Sequence, residues 1–234
     1  MTRSSSVFCA VDRPDLDGAL ELGRALKGTV GGLKIGLEFV TANGPDGVRR
    51  IVDLGLPVFL DIKLHDIPNT VRGAIKAAGD LGVAMLTVHL SGGPAMLEAA
   101  VDAANSIRGR RPWLLGVSVL TSMDDADLRA VGIAGPTGKQ VLRLAGLARA
   151  KGLDGVVCSP REIEPLKTRF AGELKLVVPG VRPAGSDAGD QKRTLTPAAA
   201  IKAGADHLVI GRPITASAEP RAAAEAIMAE IEAA

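Results

Sequence analysis

Aromatic residues are scarce in this chain of 234 residues, which has four Phe, one Trp and no Tyr. Modules that bind RNA or single-stranded DNA need aromatic platforms on which bases stack, so this composition argues against them. The core must instead be built from Val, Ile, Leu and Ala. Histidine is also rare, with three residues. None of them stands at ligand spacing from a Cys or a carboxylate, so we expect no metal site.

The chain also has few cysteines, little net charge and no long apolar run. The two cysteines, Cys9 and Cys158, lie far apart inside apolar runs, as expected for buried thiols in a reducing compartment. The net charge is only +2, and the basic cluster Arg108, Arg110 and Arg111 has no aromatic residues between its members. We therefore expect no nucleic-acid partner. No apolar run approaches the roughly 18 residues that a bilayer requires, and no signal-peptide pattern is present, which predicts a cytoplasmic protein without membrane contact.

Eight short apolar runs, often β-branched, recur along the chain and alternate with stretches of helical periodicity. Continuous apolar strands that alternate with helices are typical of a parallel sheet covered by helices. Eight such units predict an α/β fold, a single (β/α)8 TIM barrel over residues 1–234, with a doubly wound open sheet as the alternative. The predicted strands are Val7–Val11, Leu33–Gly36, Val58–Ile62, Met85–Leu90, Leu114–Leu120, Gly155–Cys158, Leu176–Val178 and His207–Ile210. The predicted helices include Leu16–Lys27, Thr70–Leu81, Ala95–Ile107, Lys139–Ala150, Arg161–Phe170, Pro197–Ala203 and Ala216–Ala234.

Charged residues follow or interrupt the first three strands. Asp12 ends the first strand, Lys34 lies in the second, and Asp61 and Lys63 share one face at the end of the third. Burying these charges against apolar helices would cost several kcal/mol per unpaired ion, so the mouth of the barrel is the favoured place. Asp66 follows immediately after the strand. A structural ion pair does not need Lys34 and Lys63 together with Asp61 and Asp66, so these four residues predict a catalytic charge network.

Residues suited to phosphate binding follow the last two strands. Gly211 and Arg212 come just after the eighth strand, and Arg182 and Gln191 follow the seventh. Glycine lets backbone N–H groups approach an anion, and a guanidinium binds phosphate oxygens in a bidentate manner. Barrels often bind phosphate between these two loops. The segment 180–192, GVRPAGSDAGDQK, has no helical period, and we expect it to be a mobile loop that closes over the phosphate.

The histidines and the tryptophan carry weaker signals. His89 ends the fourth strand, where it either lines the mouth or packs, and His65 follows Lys63 and is a candidate for orienting a charge. His207 begins a strand, at the end of the barrel opposite to the mouth, and is expected to be structural. Trp113 is expected to pack.

At these positions the sequence resembles the orotidine 5'-phosphate decarboxylase family, in its short bacterial form. The resemblance runs nearly end to end and departs at no motif position. The block DIKLHDIPNT at 61–70 is the most specific part, because sister barrels that act on sugar phosphates share its D-x-K-x-x-D but not its IPNT. The other matching segments are AVD at 10–12, LKIG at 33–36, LTS at 120–122, PGVRP at 179–183, DQKR at 190–193 and IGRPI at 210–214.

The resemblance implies cofactor-free conversion of orotidine 5'-monophosphate to UMP and carbon dioxide in pyrimidine biosynthesis. Lys63 would donate a proton to C6, with Asp61 facing the substrate carboxylate and Lys34 pairing with Asp61 beside the ribose. Asp66 and Thr70 would reach the active site of the other subunit of a homodimer. The remaining implied substrate contacts are Asp12 for the ribose, Thr121 or Ser122 for the pyrimidine amide, and Arg182, Gln191, Gly211 and Arg212 for the phosphate end.

Two alternatives stay open at this point. One is a different phosphosugar lyase or aldolase, although carboxylates beside Lys63 favour its charged form, whereas a Schiff-base lysine must lose its proton. The other is a barrel that binds phosphate compounds without catalysis.

Overall fold

Eight parallel strands follow one another in chain order around a closed barrel in the computed structural model, which describes residues 6–183 and 195–233. The first strand pairs with the eighth, so the sheet has no open edge and the doubly wound alternative is excluded. The predicted TIM barrel is confirmed. The strands are β1 (Val7–Ala10), β2 (Gly32–Gly36), β3 (Val58–Leu64), β4 (Met85–His89), β5 (Trp113–Val117), β6 (Gly155–Val157), β7 (Lys175–Pro179) and β8 (His207–Ile210).

Helices connect the strands on the outside of the barrel. They are α1 (Leu16–Leu26), α2 (Leu37–Val52), α3 (Pro68–Asp80), α4 (Gly93–Asn105), α5 (Asp125–Ala130), α6 (Thr137–Ala150), α7 (Ile163–Phe170), α8 (Pro197–Ala203), α9 (Arg212–Thr215) and α10 (Pro220–Glu232). Short 3-10 helices cover Leu90–Gly92 and Pro160–Glu162. Within the described residues no helix is both long and apolar enough to cross a bilayer.

Alternation along the strands separates two buried layers. In β1, Val7 and Cys9 belong to the large layer between strands and helices, whereas Phe8 and Ala10 belong to a smaller cluster in the barrel interior. Successive side chains of a strand point to opposite faces, so each apolar strand serves both layers. Phe59 on β3 also lies in the interior cluster, and its ring packs edge-on against that of Phe8. The barrel interior is therefore packed with apolar side chains below the mouth.

The last helix and helix α2 show how the helices differ from the sequence-based prediction, which also lacked α5. The last helix was predicted to begin at Ala216, but the chain forms the single turn α9 and then restarts as α10 at Pro220, because proline is well suited to the first turn of a helix. Helix α2 was not among the predicted helices. It bends at Gly44, whose φ is 61°, next to Pro45, and this Gly–Pro pair resembles a turn in the sequence.

The end of the barrel opposite to the mouth is closed by aromatic packing. His207 is buried, with its ring centroid 5.4 Å from that of Phe8 and 5.8 Å from that of Trp113. The structural roles expected for His207 and Trp113 are thus confirmed. Both cysteines are buried as predicted, and burial raises the pKa of Cys9 to about 12.

Candidate active site

A cavity of about 430 Å³ opens at the carboxyl ends of the strands. This volume lies within the usual range for small-ligand sites. Apolar side chains from the barrel interior line its deep part, and five of the charged residues predicted from the sequence, which are Asp12, Lys34, Asp61, Arg182 and Arg212, line its rim. The lining residues are Ala10, Asp12, Lys34, Phe59, Asp61, Val157, Pro179, Gly180, Arg182, Val209, Gly211 and Arg212.

Lys34 enters this cavity from the middle of β2. It is the register partner of Ala10 on one side and of Phe59 on the other, both of which are interior residues. Its ammonium donates to Oδ1 of Asp12 over 2.7 Å. The resemblance implied a pairing of Lys34 with Asp61, and the structure corrects this, because the ion pair of Lys34 is with Asp12. A Cβ at Gly36 would come within 3.4 Å of both charged groups, so glycine leaves the space that the pair occupies.

Asp61 and Lys63 form the second ion pair, and they share the interior face as predicted. Leu60, Ile62 and Leu64 pack in the outer layer, so the two charged residues between them point inward. Nζ of Lys63 lies 2.9 Å from Oδ2 of Asp61. Of these two residues, Asp61 lines the cavity.

The backbone at Lys63 is unusual, because its φ is 50°. For a residue other than glycine, this left-handed conformation costs on the order of 1–2 kcal/mol, and such strain often occurs at functional sites. Here it coincides with the residue that the sequence singled out as the centre of the charge network.

The side of the cavity nearest to β7 and β8 carries the residues suited to phosphate. Arg182 and Arg212 both line it, together with Gly180 and Gly211. Arg182 is anchored, since its backbone N–H donates to the carbonyl of Leu195 and its Nη1 donates to the carbonyl of Val181, both over 2.9 Å. Gln191 and most of the predicted loop 180–192 lie outside the described residues.

Two histidines stack at the rim near Lys63. The rings of His65 and His89 are 5.1 Å apart and tilted by 22°, and Nδ1 of His89 lies 2.8 Å from Oγ of Ser91. Burial lowers the pKa of His89, and the neighbouring His65 and Lys63 lower it further. His89 is therefore neutral at pH 7 and adds no positive charge to the site. Among the described residues, no group of three or more His, Cys, Asp or Glu side chains is arranged to hold a metal ion.

A larger cavity, of about 810 Å³, lies elsewhere, between α5, α6 and the start of α7. It is lined by residues such as Asp125, Thr137 and Lys139, and it contains none of the predicted catalytic residues. The candidate site is therefore the smaller cavity, because residues of both ion pairs line it.

The architecture and the residues of the smaller cavity agree with one family of barrels. A model of the "Orotidine 5'-phosphate decarboxylase / HUMPS family" matches residues 5–227. The chain belongs to this family.

Relatives and solved structures agree with this family across almost the full chain. An orotidine 5'-phosphate decarboxylase from Paramagnetospirillum magneticum is 52% identical over 229 residues, which cover 96% of this chain and 97% of the relative. One from Halorhodospira halophila is 55% identical over 225 residues, covering 96% and 95%. The crystal structure of orotidine 5'-phosphate decarboxylase from Lactobacillus acidophilus has a TM-score of 0.84 and 35% identity, and the match covers 97% of this chain and 98% of that one.

Five of the described residues singled out by the decarboxylase resemblance are not among those that line the cavity. One is Lys63, whose ion-pair partner Asp61 does line it. Asp66 and Thr70 are exposed, beside and within the first turn of α3, and Oδ1 of Asp66 accepts the N–H of Ile67 over 2.6 Å. Thr121 is half-buried and Ser122 is exposed in the turn after β5. That Thr121 or Ser122 contacts the pyrimidine amide stays a prediction.

Sequence reasoning about the family motifs missed Thr87. This residue lies in β4, is fully buried, and has a hydroxyl that contacts both members of the second ion pair. The signal was a hydroxyl in the otherwise apolar run MLTV. Its partners were not readable, because they come from β3, more than twenty residues earlier in the chain.

Proposed function

We propose that this chain converts orotidine 5'-monophosphate to UMP and carbon dioxide, as a carboxy-lyase of pyrimidine biosynthesis. The observation that carries the proposal is the ammonium of Lys63, held 2.9 Å from Asp61 at the barrel mouth of a chain that belongs to the decarboxylase family. Family members about half identical to this chain over nearly its full length carry the name of this activity. The predicted cytoplasmic location stays a prediction.

The proposed chemistry needs a cation beside the reacting carbon. When the bond between C6 and the carboxylate breaks, carbon dioxide leaves and the electron pair stays on C6, where the ring offers no position to delocalise it. The ammonium of Lys63 stabilises this charge and then donates its proton to C6, which completes UMP. Lys63 regains a proton from solvent. No metal or organic cofactor takes part in this sequence of steps.

Asp61 would play two parts. Its carboxylate holds the ammonium in place, and in the substrate complex it would face the carboxylate that is lost. Two like charges about 4 Å apart repel by roughly 4 kcal/mol at an effective dielectric constant near 20, and departure of carbon dioxide relieves that repulsion. The ion pair of Lys63 also disfavours the aldolase alternative, because a lysine that attacks a carbonyl must first lose its proton.

The rest of the cavity would bind the parts of the nucleotide that do not react. Asp12 and Lys34 would contact the ribose, and Arg182, Gly211 and Arg212 would contact the phosphate. Gln191 is proposed to join them from the loop 180–192. Binding energy from the phosphate would help to close that loop and to hold the pyrimidine against Lys63.

The functional test is turnover without metal. Purified protein in buffer with a chelator should consume orotidine 5'-monophosphate, followed by ultraviolet absorbance, with UMP as the product. Lys63→Ala should abolish turnover and still bind UMP. Lys202→Ala, which removes an exposed lysine from the outer helix α8, should keep full activity. No turnover by the unmodified chain, or full activity of Lys63→Ala, would contradict the proposal.

We also propose a homodimer in which Asp66 and Thr70 complete the partner's site. Ile67, between them in the chain, is 68% exposed, and Leu37 at the start of α2 is 60% exposed. The proposal rests on the family resemblance at Asp66 and Thr70, and a partner subunit on this side of the barrel would cover the exposed apolar side chain of Ile67.

Mixed dimers test this arrangement directly. Lys63→Ala and Asp66→Ala should each be inactive. The two variants are then unfolded and refolded together, so that half of the dimers are mixed. In each mixed dimer, one of the two sites has both Lys63 and Asp66, so about a quarter of all sites should be intact. If Asp66 acts within its own subunit, no activity returns.

A further inference from the structure

The ladder between β3 and β4 is irregular at the charge network. The two strands are in register at Leu60 and Leu86, and again at Leu64 and Val88. Between these pairs β3 has three residues, Asp61, Ile62 and Lys63, whereas β4 has only Thr87. Two extra residues keep the inward and outward alternation of β3 intact, because the side-chain period is two. They also leave the backbone N–H of Lys63 without a regular partner in the ladder.

The hydroxyl of Thr87 fills this gap. It accepts the backbone N–H of Lys63 over 2.9 Å and donates to Oδ1 of Asp61 over 3.0 Å. The other carboxylate oxygen of Asp61 accepts the ammonium of Lys63 over 2.9 Å. A threonine hydroxyl has one proton, and this proton points to the carboxylate because the amide of Lys63 occupies an acceptor position. One buried hydroxyl thus connects the backbone of Lys63 to the carboxylate that holds its side chain.

We propose that Thr87 is a positioning residue for the decarboxylation, an inference that rests on the proposed function. Its hydroxyl holds Lys63 in the left-handed backbone conformation and fixes the carboxylate of Asp61, so that the ammonium stays aimed at one point in the cavity. Without the hydroxyl, the Lys63 N–H and Oδ1 of Asp61 each lose a buried partner, and both groups would turn to find another. Small errors in the placement of a proton donor have large effects on rate.

The test compares Thr87→Val, which keeps the branched shape and loses the hydroxyl, with Thr87→Ser, which keeps the hydroxyl. We expect Thr87→Val to lower kcat by about 10- to 100-fold, the range expected when a reacting group is misplaced. The KM for orotidine 5'-monophosphate and the Kd for UMP should change little, because Thr87 does not line the cavity. Thr87→Ser should restore most of kcat.

The matched control is Thr137→Val. Thr137 is also buried and also donates to a carboxylate, that of Asp125, but it lies at the larger cavity away from the two ion pairs. Its replacement should lower the melting temperature and leave kcat unchanged. If Thr87→Val does not fold, Thr87→Ala removes the same hydroxyl without placing a new methyl group beside the carboxylate.

Two results would overturn this role. One is a folded Thr87→Val or Thr87→Ala enzyme with unchanged kcat, and the other is a loss in Thr87→Ser as large as in Thr87→Val. Both leave the proposed function intact, since the unmodified chain still turns over. Absence of turnover in the unmodified chain would instead overturn the proposed function, and the role of Thr87 with it.

Discussion

At the scale of single residues, the charged side chains at the barrel mouth form two ion pairs. In each pair, the more buried side chain has an opposite charge within hydrogen-bond distance. The side chain of Lys34 is 10% exposed and that of its partner Asp12 is 54% exposed. In the other pair Asp61 is 15% exposed and Lys63 is 33% exposed. Burying a lone charge would be very costly, and pairing offsets that cost while the outer member of each pair stays accessible. The mouth can therefore carry two cations and two anions at the end of an apolar interior.

Lys34→Met tests the role of the deeper cation in binding. The variant keeps the length and the packing of the side chain but removes a charged donor from the cavity. We expect UMP to bind at least about 10-fold more weakly, the range for losing one charge-assisted hydrogen bond, as measured by calorimetry. Lys27→Met is the control, because Lys27 donates to the carbonyl of Leu54 on the exposed surface. Unchanged UMP affinity in Lys34→Met would show that Lys34 serves only to pair with Asp12.

Among the elements, the short strand β6 shows how closely neighbouring strands approach. It has three residues and begins at Gly155, whose register partner on β7 is Lys175. A Cβ at Gly155 would lie 2.3 Å from the backbone oxygen of Lys175 and 2.8 Å from its Cβ. Backbone atoms cannot move aside without disturbing the ladder, so glycine is required here for space.

Gly155→Ala should therefore destabilise the barrel. We expect the free energy of unfolding to fall by about 1–3 kcal/mol, the usual cost of overpacking, measured by urea denaturation. Gly146→Ala is the matched control in the middle of α6, where a Cβ would meet only the ring of Phe170 at 3.9 Å. That change should stabilise by about 0.5–1 kcal/mol, because alanine favours a helix more than glycine does. If Gly155→Ala and Gly146→Ala changed the free energy of unfolding equally, the close approach at Gly155 would be contradicted.

At the scale of the whole molecule, Asp206, which directly precedes β8, contacts both α7 and β7 at the end of the barrel away from the mouth. Its carboxylate accepts from Lys167 on α7 over 2.8 Å, from Lys175 on β7 over 3.1 Å and from the N–H of Leu176 over 2.9 Å. Burial acts to raise the pKa of Asp206, but these hydrogen bonds outweigh burial, and the pKa lies below its ordinary value. The ionised carboxylate is thus favoured in the folded state.

This lowered pKa predicts how stability depends on pH. The folded state binds the proton of Asp206 less readily than the unfolded state does. The contribution of Asp206 to the free energy of unfolding is therefore fully present above the ordinary Asp pKa of about 3.9. It is lost as the pH falls through the lower folded pKa. Asp206→Asn should reduce the free energy of unfolding at pH 7 by about 1–3 kcal/mol, and the difference from the unmodified chain should shrink below about pH 4.

The control for this pH dependence is Asp46→Asn. Asp46 is 93% exposed and pairs with Arg49 on the surface, so its replacement should change stability by less than about 1 kcal/mol at either pH. Urea denaturation at pH 7 and near pH 3 measures both variants. If Asp206→Asn lost the same amount of unfolding free energy at both pH values, the proposed charge effect would be contradicted.

Sequence patterns were sufficient to predict the features that depend on the order of residues within single segments. The alternation of apolar runs with helical stretches predicted the barrel, and the carboxyl ends of β1, β2 and β3 predicted where Asp12, Lys34, Asp61 and Lys63 meet. Arg182 and Arg212 were likewise placed on one side of the mouth. These predictions succeed because parallel strands of a barrel bring all their carboxyl ends to one rim, whatever the details of packing.

Contacts between strands were decided only by the tertiary structure. The pairing of Lys34 with Asp12, the positive φ of Lys63 and the position of Thr87 all depend on the register of neighbouring strands, and above all on the two extra residues of β3. Register is set by packing and hydrogen bonding across the whole sheet, and no single segment contains it. The amino-acid order thus determined which charges reach the rim of the barrel, whereas closure of the sheet decided which partners hold them there.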